Sequence, residues 1–174
     1  MPQMRLATMD DLDNTYRLYE EVIDHQHLDR YSPRWTKGVY PTREDLRTRI
    51  ELGELFVGSE GGRIVDAVVL TREEDPGYYG IAWPSGAEHD EVSVIHLLAV
   101  HPDMRGRHLG AEVMRWCIDT ARQWGQRAIH LDVVPGNTVA ARTYEAVGFE
   151  LVCRHMVHYE DLGDTELEMY ELVL

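Results

Sequence analysis

Arg105, Gly106, Arg107, His108 and Gly110 crowd into one short turn between the apolar run VSVIHLLAV and an amphipathic segment. A helix that begins just after such a turn points its unpaired backbone N–H groups outward, and its dipole adds partial positive charge there. Phosphate groups bind readily at such an end. Two glycines let the backbone curl and let a bulky anion approach, while two guanidiniums add charge-assisted donors. The same residues would also make an ordinary solvated turn. Two familiar phosphate cradles are excluded. GxxxxGK[ST] fails because no lysine follows Gly110, and GxGxxG fails because Gly106 and Gly110 have the wrong spacing.

Other side chains are placed where chemistry is possible. His96 sits mid-strand in the apolar run, on the face of Leu98 and Val100, as a base or a core histidine. His130 and Asp132 alternate on one face of a later strand, where they could shape a pocket or pair with each other. Cys117 falls inside a helical apolar stripe, so no cysteine nucleophile is expected. The nine histidines lack HExxH spacing, and Cys117 and Cys153 lack CxxC spacing, so no metal is expected.

The elements that must position these residues follow from periodicity. Residues 3–7 read as a first strand, and Asp10 or Asp11 opens a helix with Leu12, Tyr16, Tyr19, Val22 and Ile23 at helical spacing. Thr42 caps a second helix with Asp45 three positions on, and Gly53 ends it. ELFVGSEGGRIVDAVVL reads as a hairpin, followed by a long polar connection over 71–90. VSVIHLLAV is a buried strand, and a helix over 109–124 follows it. AIHLDVV is the next strand, Asn137 caps a helix carrying Ala140, Ala141, Tyr144 and Val147, and strands over 152–158 and 167–174 close the chain. The order β-α-α-β-β-β-α-β-α-β-β implies one mixed α/β domain over residues 1–174, its central strand-helix-strand piece a right-handed crossover with parallel strands.

Bulk properties narrow the function. The chain has 174 residues, 44% apolar and 28% charged, an ordinary globular composition. Its 31 acidic against 17 basic residues give a net charge of −14, which repels nucleic acid and mildly attracts a cationic small molecule such as an amine. Solubility alone would also account for that charge. No signal peptide pattern opens the sequence, and runs such as IHLLAV fall short of the roughly 20 residues that span a bilayer. A cytoplasmic protein without membrane association is expected.

RGRHLGA resembles the Q/R-x-x-G-x-G/A signature of the GNAT-type N-acetyltransferases, with Arg105 first and Gly110 and Ala111 at its end. IHLLAVHP resembles the strand before that signature. NTVAARTYEAVGFE resembles the family helix N-x-x-A-x-x-x-Y-x-x-x-G-F through Asn137, Ala140, Tyr144, Gly148 and Phe149. The likeness runs from about residue 92 to 151, and elsewhere rests on element order alone. It departs from the usual RGxGxG form at His108, where glycine is expected.

The resemblance implies a twisted, mostly antiparallel sheet whose two middle strands run parallel and part in a V, with acetyl-CoA as co-substrate. It implies pyrophosphate on Gly106, Arg107, His108, Leu109, Gly110 and Ala111, the pantetheine arm along Leu98, Ala99 and Val100, and a coenzyme contact from Asn137. A backbone N–H near Leu98 would stabilise the oxyanion. Tyr144 would protonate the departing thiolate, the alternative being core packing, and His96 stands where arylalkylamine-type members carry a strand histidine. Val94 stands where histone-modifying members carry a glutamate base, which argues against that version. The acceptor would be a primary amine, on a small molecule or a protein amino terminus, with Tyr31, Trp35, Trp83 and Asp132 at its walls; these aromatics, and Tyr78 and Tyr79 in the same irregular segments, could equally plug the core. The closing strands of such domains often pair across homodimers, and the oligomeric state stays open. His108 keeps open a non-catalytic acyl-CoA-binding module on the same fold.

Overall fold

The computed structural model describes residues 3–28, 33–159 and 163–174. Among the described residues seven strands, β1 (Gln3–Leu6), β2 (Leu55–Glu60), β3 (Arg63–Leu70), β4 (Val92–Val100), β5 (Ala128–Val133), β6 (Glu150–Tyr159) and β7 (Gly163–Val173), are hydrogen-bonded in the order β1-β2-β3-β4-β5-β7-β6. β4 and β5 run parallel, and β1 with β2, β2 with β3, β5 with β7 and β6 with β7 antiparallel. The chain folds into two compact units, Met1–Leu70 with Leu97–Val113, and Thr71–His96 with Met114–Leu174. It passes from one unit to the other within two elements, strand β4 (Val92–Val100) and helix α3 (Leu109–Gln123).

In the first unit, β1 (Gln3–Leu6), β2 (Leu55–Glu60) and β3 (Arg63–Leu70) form an antiparallel ribbon. Helices α1 (Leu12–His25) and α2 (Arg43–Glu51) bury Leu12, Leu18, Tyr19, Leu46 and Ile50 against Leu55, Val57, Ala67 and Val69. Leu97 and Ala99 of β4 complete that core. Helix α2 begins as its sequence demands: Thr42 Oγ1 accepts the Asp45 N–H at 3.1 Å, and the Asp45 carboxylate accepts the Thr42 N–H at 2.7 Å. Gly53, at φ +71°, ends it.

A bulge between Gly58 and Ser59 of β2 sits opposite Asp66 of β3. A Cβ on Gly58 would lie 2.3 Å from the Asp66 carboxylate, so glycine is what makes room for it. Asp66 is 1% exposed, and its Oδ1 has no hydrogen-bond partner among the described residues. Burial therefore pushes its pKa up to about 6, against a Gly58 backbone hydrogen bond that favours the charged form and with Glu112 adding repulsion. The folded chain then holds its proton between about pH 4 and 6 while the unfolded chain releases it, so stability falls as pH rises through that window. Asp66→Asn should raise unfolding free energy at pH 7 by roughly 2 kcal/mol and leave it unchanged at pH 4, because asparagine has no proton to lose. Denaturant unfolding at the two pH values checks this; equal gains at both would contradict it.

In the second unit β5 (Ala128–Val133) pairs in parallel with β4 over Val92↔Ala128, Ser93↔Ile129 and Val94↔His130. On its other edge β5 pairs with β7 (Gly163–Val173), which in turn pairs with β6 (Glu150–Tyr159). These closing strands are longer than the expected 152–158 and 167–174. Most of the added length is Gly163, Asp164, Thr165 and Glu166, a polar run with no apolar position before Leu167 and Met169 reach the core. Helix α4 (Thr138–Glu145) is capped by Asn137, whose side-chain oxygen accepts the Ala140 N–H at 3.3 Å. Among the described residues, no helix is long and apolar enough to cross a membrane.

Candidate active site

The first unit carries the residues expected to seat an anion in one continuous piece. Along the second half of β4, Leu98 and Val100 are half-buried while Leu97 and Ala99 face the core, as strand alternation requires. The His101 N–H bonds the Val65 carbonyl of β3 at 2.8 Å, so the backbone groups of Leu98 and Val100 point to the side away from β3. A short turn over Pro102–Met104 then leads to 105–108, all exposed, and α3 starts at Leu109.

Two residues of that turn have positive φ, Gly106 at +76° and His108 at +59°. His108 therefore adopts the left-handed conformation that glycine would take, and histidine is among the side chains that tolerate it best. A Cβ on Gly106 would meet nothing within 4 Å, so the approach to its backbone is open. The first N–H groups of α3, at Leu109, Gly110 and Ala111, have no acceptor within the helix. Arg107 forks onto the Glu60 carboxylate at 3.0 and 2.8 Å, and this contact raises its pKa. Both partners are about half exposed, so the pair holds Arg107 only lightly. Open backbone, unpaired donors and nearby guanidiniums fit a pyrophosphate.

The second unit gathers a different set. Tyr144 of α4 is half-buried, tilted against Phe149 with centroids 6.2 Å apart. Burial first, then Asp132 and Cys117, push its phenol pKa well up, so it keeps its proton at neutral pH. Asp132 accepts a hydrogen bond from the Tyr78 hydroxyl at 2.5 Å. Burial raises the Asp132 carboxyl pKa, and His96 and the Tyr78 bond pull against that rise. His96 lies 6.2 Å from Tyr78, ring to ring, and its Nε2 is 3.6 Å from a carboxylate oxygen of Asp75. The structure thus places Tyr144, Asp132, His96, Tyr78 and Asp75 in one unit, with Asp132 bound by Tyr78, and Asp75 beside His96.

His130 and Asp132 do not pair with each other, as their shared face would allow. Each has found another partner. His130 is buried between Glu74 at Nδ1 (3.1 Å) and Glu171 at Nε2 (3.0 Å), with its ring stacked 3.7 Å from Trp83. Trp83 thus packs on His130 and on the Tyr78 core. Trp35 packs edge-on against Tyr19 in the first unit, 5.5 Å away. Tyr31 lies outside the described residues. The sequence reading missed Asp75, Glu74 and Glu171, since each is one acidic residue among many and only the fold marks it. No group of three or more His, Cys, Asp or Glu among the described residues is arranged to hold a metal.

Residues 6–149 match the model of the Acetyltransferase (GNAT) family. An uncharacterized N-acetyltransferase of Methanocaldococcus jannaschii is 31% identical over 150 residues, 84% of this chain and 60% of that protein, so the chain spans under two thirds of this relative's length. A GNAT-family acetyltransferase structure from Streptococcus agalactiae superposes with a TM-score of 0.81 at 20% identity, covering 99% of this chain and 95% of that one. A Salmonella typhimurium structure determined with its cofactor acetyl-CoA superposes with a TM-score of 0.68 at 18% identity, covering 100% and 94%.

Proposed function

Because the chain belongs to the GNAT family of acetyltransferases, we propose that it transfers an acetyl group from acetyl-CoA to a primary amine, on a small molecule or a protein amino terminus. The observation that supports this best is the turn after β4. Its positive φ at Gly106 and His108 and the free N–H groups opening α3 suit a pyrophosphate, and the resemblance expects one there.

Acetyl-CoA supplies an acetyl group already activated as a thioester. The residues of this chain then divide the remaining work. Residues 105–111 hold the phosphates, Leu98 and Val100 offer backbone groups to the pantetheine arm, and Asn137 adds a contact while capping α4. The Leu98 N–H stabilises the charge that develops on the acyl oxygen. His96, beside Asp75, accepts the proton that the attacking amine must lose. Tyr144 gives its phenolic proton to the departing thiolate. Asp132 with Tyr78, and Trp83 behind them, favour an acceptor that arrives as a cation, in keeping with the net charge of −14. His108 does not disable the turn, because it takes the glycine conformation itself.

The test is a thermal-shift titration with acetyl-CoA followed by release of CoA thiol across a panel of amines. Acetyl-CoA at about 100 times its Kd should stabilise the chain by roughly 2.7 kcal/mol. No shift would rule out the coenzyme.

A further inference from the structure

Leu97 breaks the regularity of β4. Its φ is +52°, in the left-handed region that L side chains rarely adopt, in the middle of a strand. One contact accounts for its persistence. Tyr19 of α1 is 0% exposed, and its hydroxyl donates to the Leu97 carbonyl at 2.6 Å, a buried hydrogen bond spanning 78 positions of sequence. Burial, and then Tyr40, push the Tyr19 pKa well up, so the phenol keeps the proton it donates.

The consequence lies on the far side of the same peptide unit. In a planar trans peptide the N–H leaves opposite to the C=O. A Leu97 carbonyl held toward α1 therefore aims the Leu98 N–H away from α1, and strand alternation already turns it away from β3. A hydrogen bond accepted by the carbonyl also polarises the peptide and strengthens its N–H as a donor, most of all in a dry core.

We propose that Tyr19 is a positioning residue for acyl transfer: its buried phenol fixes and polarises the Leu97–Leu98 peptide, so that the Leu98 N–H is aimed at the developing charge on the acyl oxygen. This rests on the acetyl-transfer reading above. The phenol touches neither substrate, and its effect passes through one peptide bond.

The test compares wild type with Tyr19→Phe, using thiol release with the amine that supports turnover and the acetyl-CoA thermal shift. Folded Tyr19→Phe should show kcat lowered roughly tenfold, part of what losing an oxyanion donor outright would cost, with acetyl-CoA affinity within about twofold. Packing alone would lower the melting temperature and leave kcat within about twofold of wild type, and that result overturns the proposal. Should Tyr19→Phe not fold, 3-fluorotyrosine at position 19 keeps the ring and the bond while making the donor more acidic. Turnover should then rise at constant KM; an unchanged kcat overturns the proposal. A wild-type chain that acetylates no amine refutes the acetyl-transfer reading itself, whereas an active wild type indifferent to position 19 refutes only the role of Tyr19.

Discussion

Tyr144→Phe should lower turnover by roughly 100-fold or more, the usual loss when a positioned general acid is removed, while the acetyl-CoA thermal shift stays intact. Burial, Asp132 and Cys117 all raise the phenol pKa, so it is protonated throughout the working pH range. Its raised pKa makes it a weak acid in solution terms. As the proposed donor it would pass that proton uphill, to a thiolate whose thiol has a pKa of about 8.5, so position at the sulfur rather than acidity has to carry the transfer. The pH–rate profile of the wild type should accordingly show no alkaline loss from Tyr144 below about pH 10. Phenylalanine keeps the packing against Phe149, so the variant should stay folded. Turnover within about threefold of wild type would return Tyr144 to a packing role.

His130→Ala should be the most damaging single change to stability. The imidazole and both carboxylates are almost completely out of solvent, with side-chain exposures of 1% for His130 and 3% each for Glu74 and Glu171. Both ring nitrogens contact carboxylate oxygens, so two protons must lie among the three groups, one on each nitrogen or one on the ring and one on a carboxyl. Burial outweighs the pull of Glu171 and Glu74 and lowers the His130 pKa below the usual imidazole value, so the shared-proton arrangement with a neutral ring is favoured. The outer oxygens have partners of their own: Glu171 accepts from the Ser85 backbone N–H at 3.1 Å, and His89 contacts Glu74. Removing the ring leaves two buried carboxylates facing an empty space, which costs about 3–5 kcal/mol. For a chain of this size that lowers the melting temperature on the order of 10 °C. A loss below about 1 kcal/mol would mean that the carboxylates are protonated or hydrated without His130.

Sequence and structure agree most closely where short-range pattern decides the outcome. The caps at Thr42 and Asn137, the stop at Gly53 and the bounds of β4 follow from residues a few positions apart. The turn at 105–110 was legible for the same reason, since its glycines, arginines and helix start are contiguous. What escaped depends on distant neighbours. His130 meets Glu74 across 56 positions and Glu171 across 41, and nothing in AIHLDVV tells that partnership from a pairing with Asp132. Tyr19 reads as one more apolar position of an amphipathic helix, and the positive φ of Leu97 has no signature in a leucine. At His108 the departure from the family's glycine leaves the backbone unchanged, because histidine adopts the conformation that glycine favours.

On the proposed reading, the anion-seating turn and the Tyr144 group serve one reaction, acetyl transfer to an amine. The direct measurement is the rate of CoA thiol release from acetyl-CoA with and without each member of a panel of small primary amines and amino-terminal peptides. Amine-dependent release, with saturation in both substrates and loss on Tyr144→Phe, is the predicted result. Stabilisation by acetyl-CoA without release on any amine would contradict it and leave an acyl-CoA-binding module.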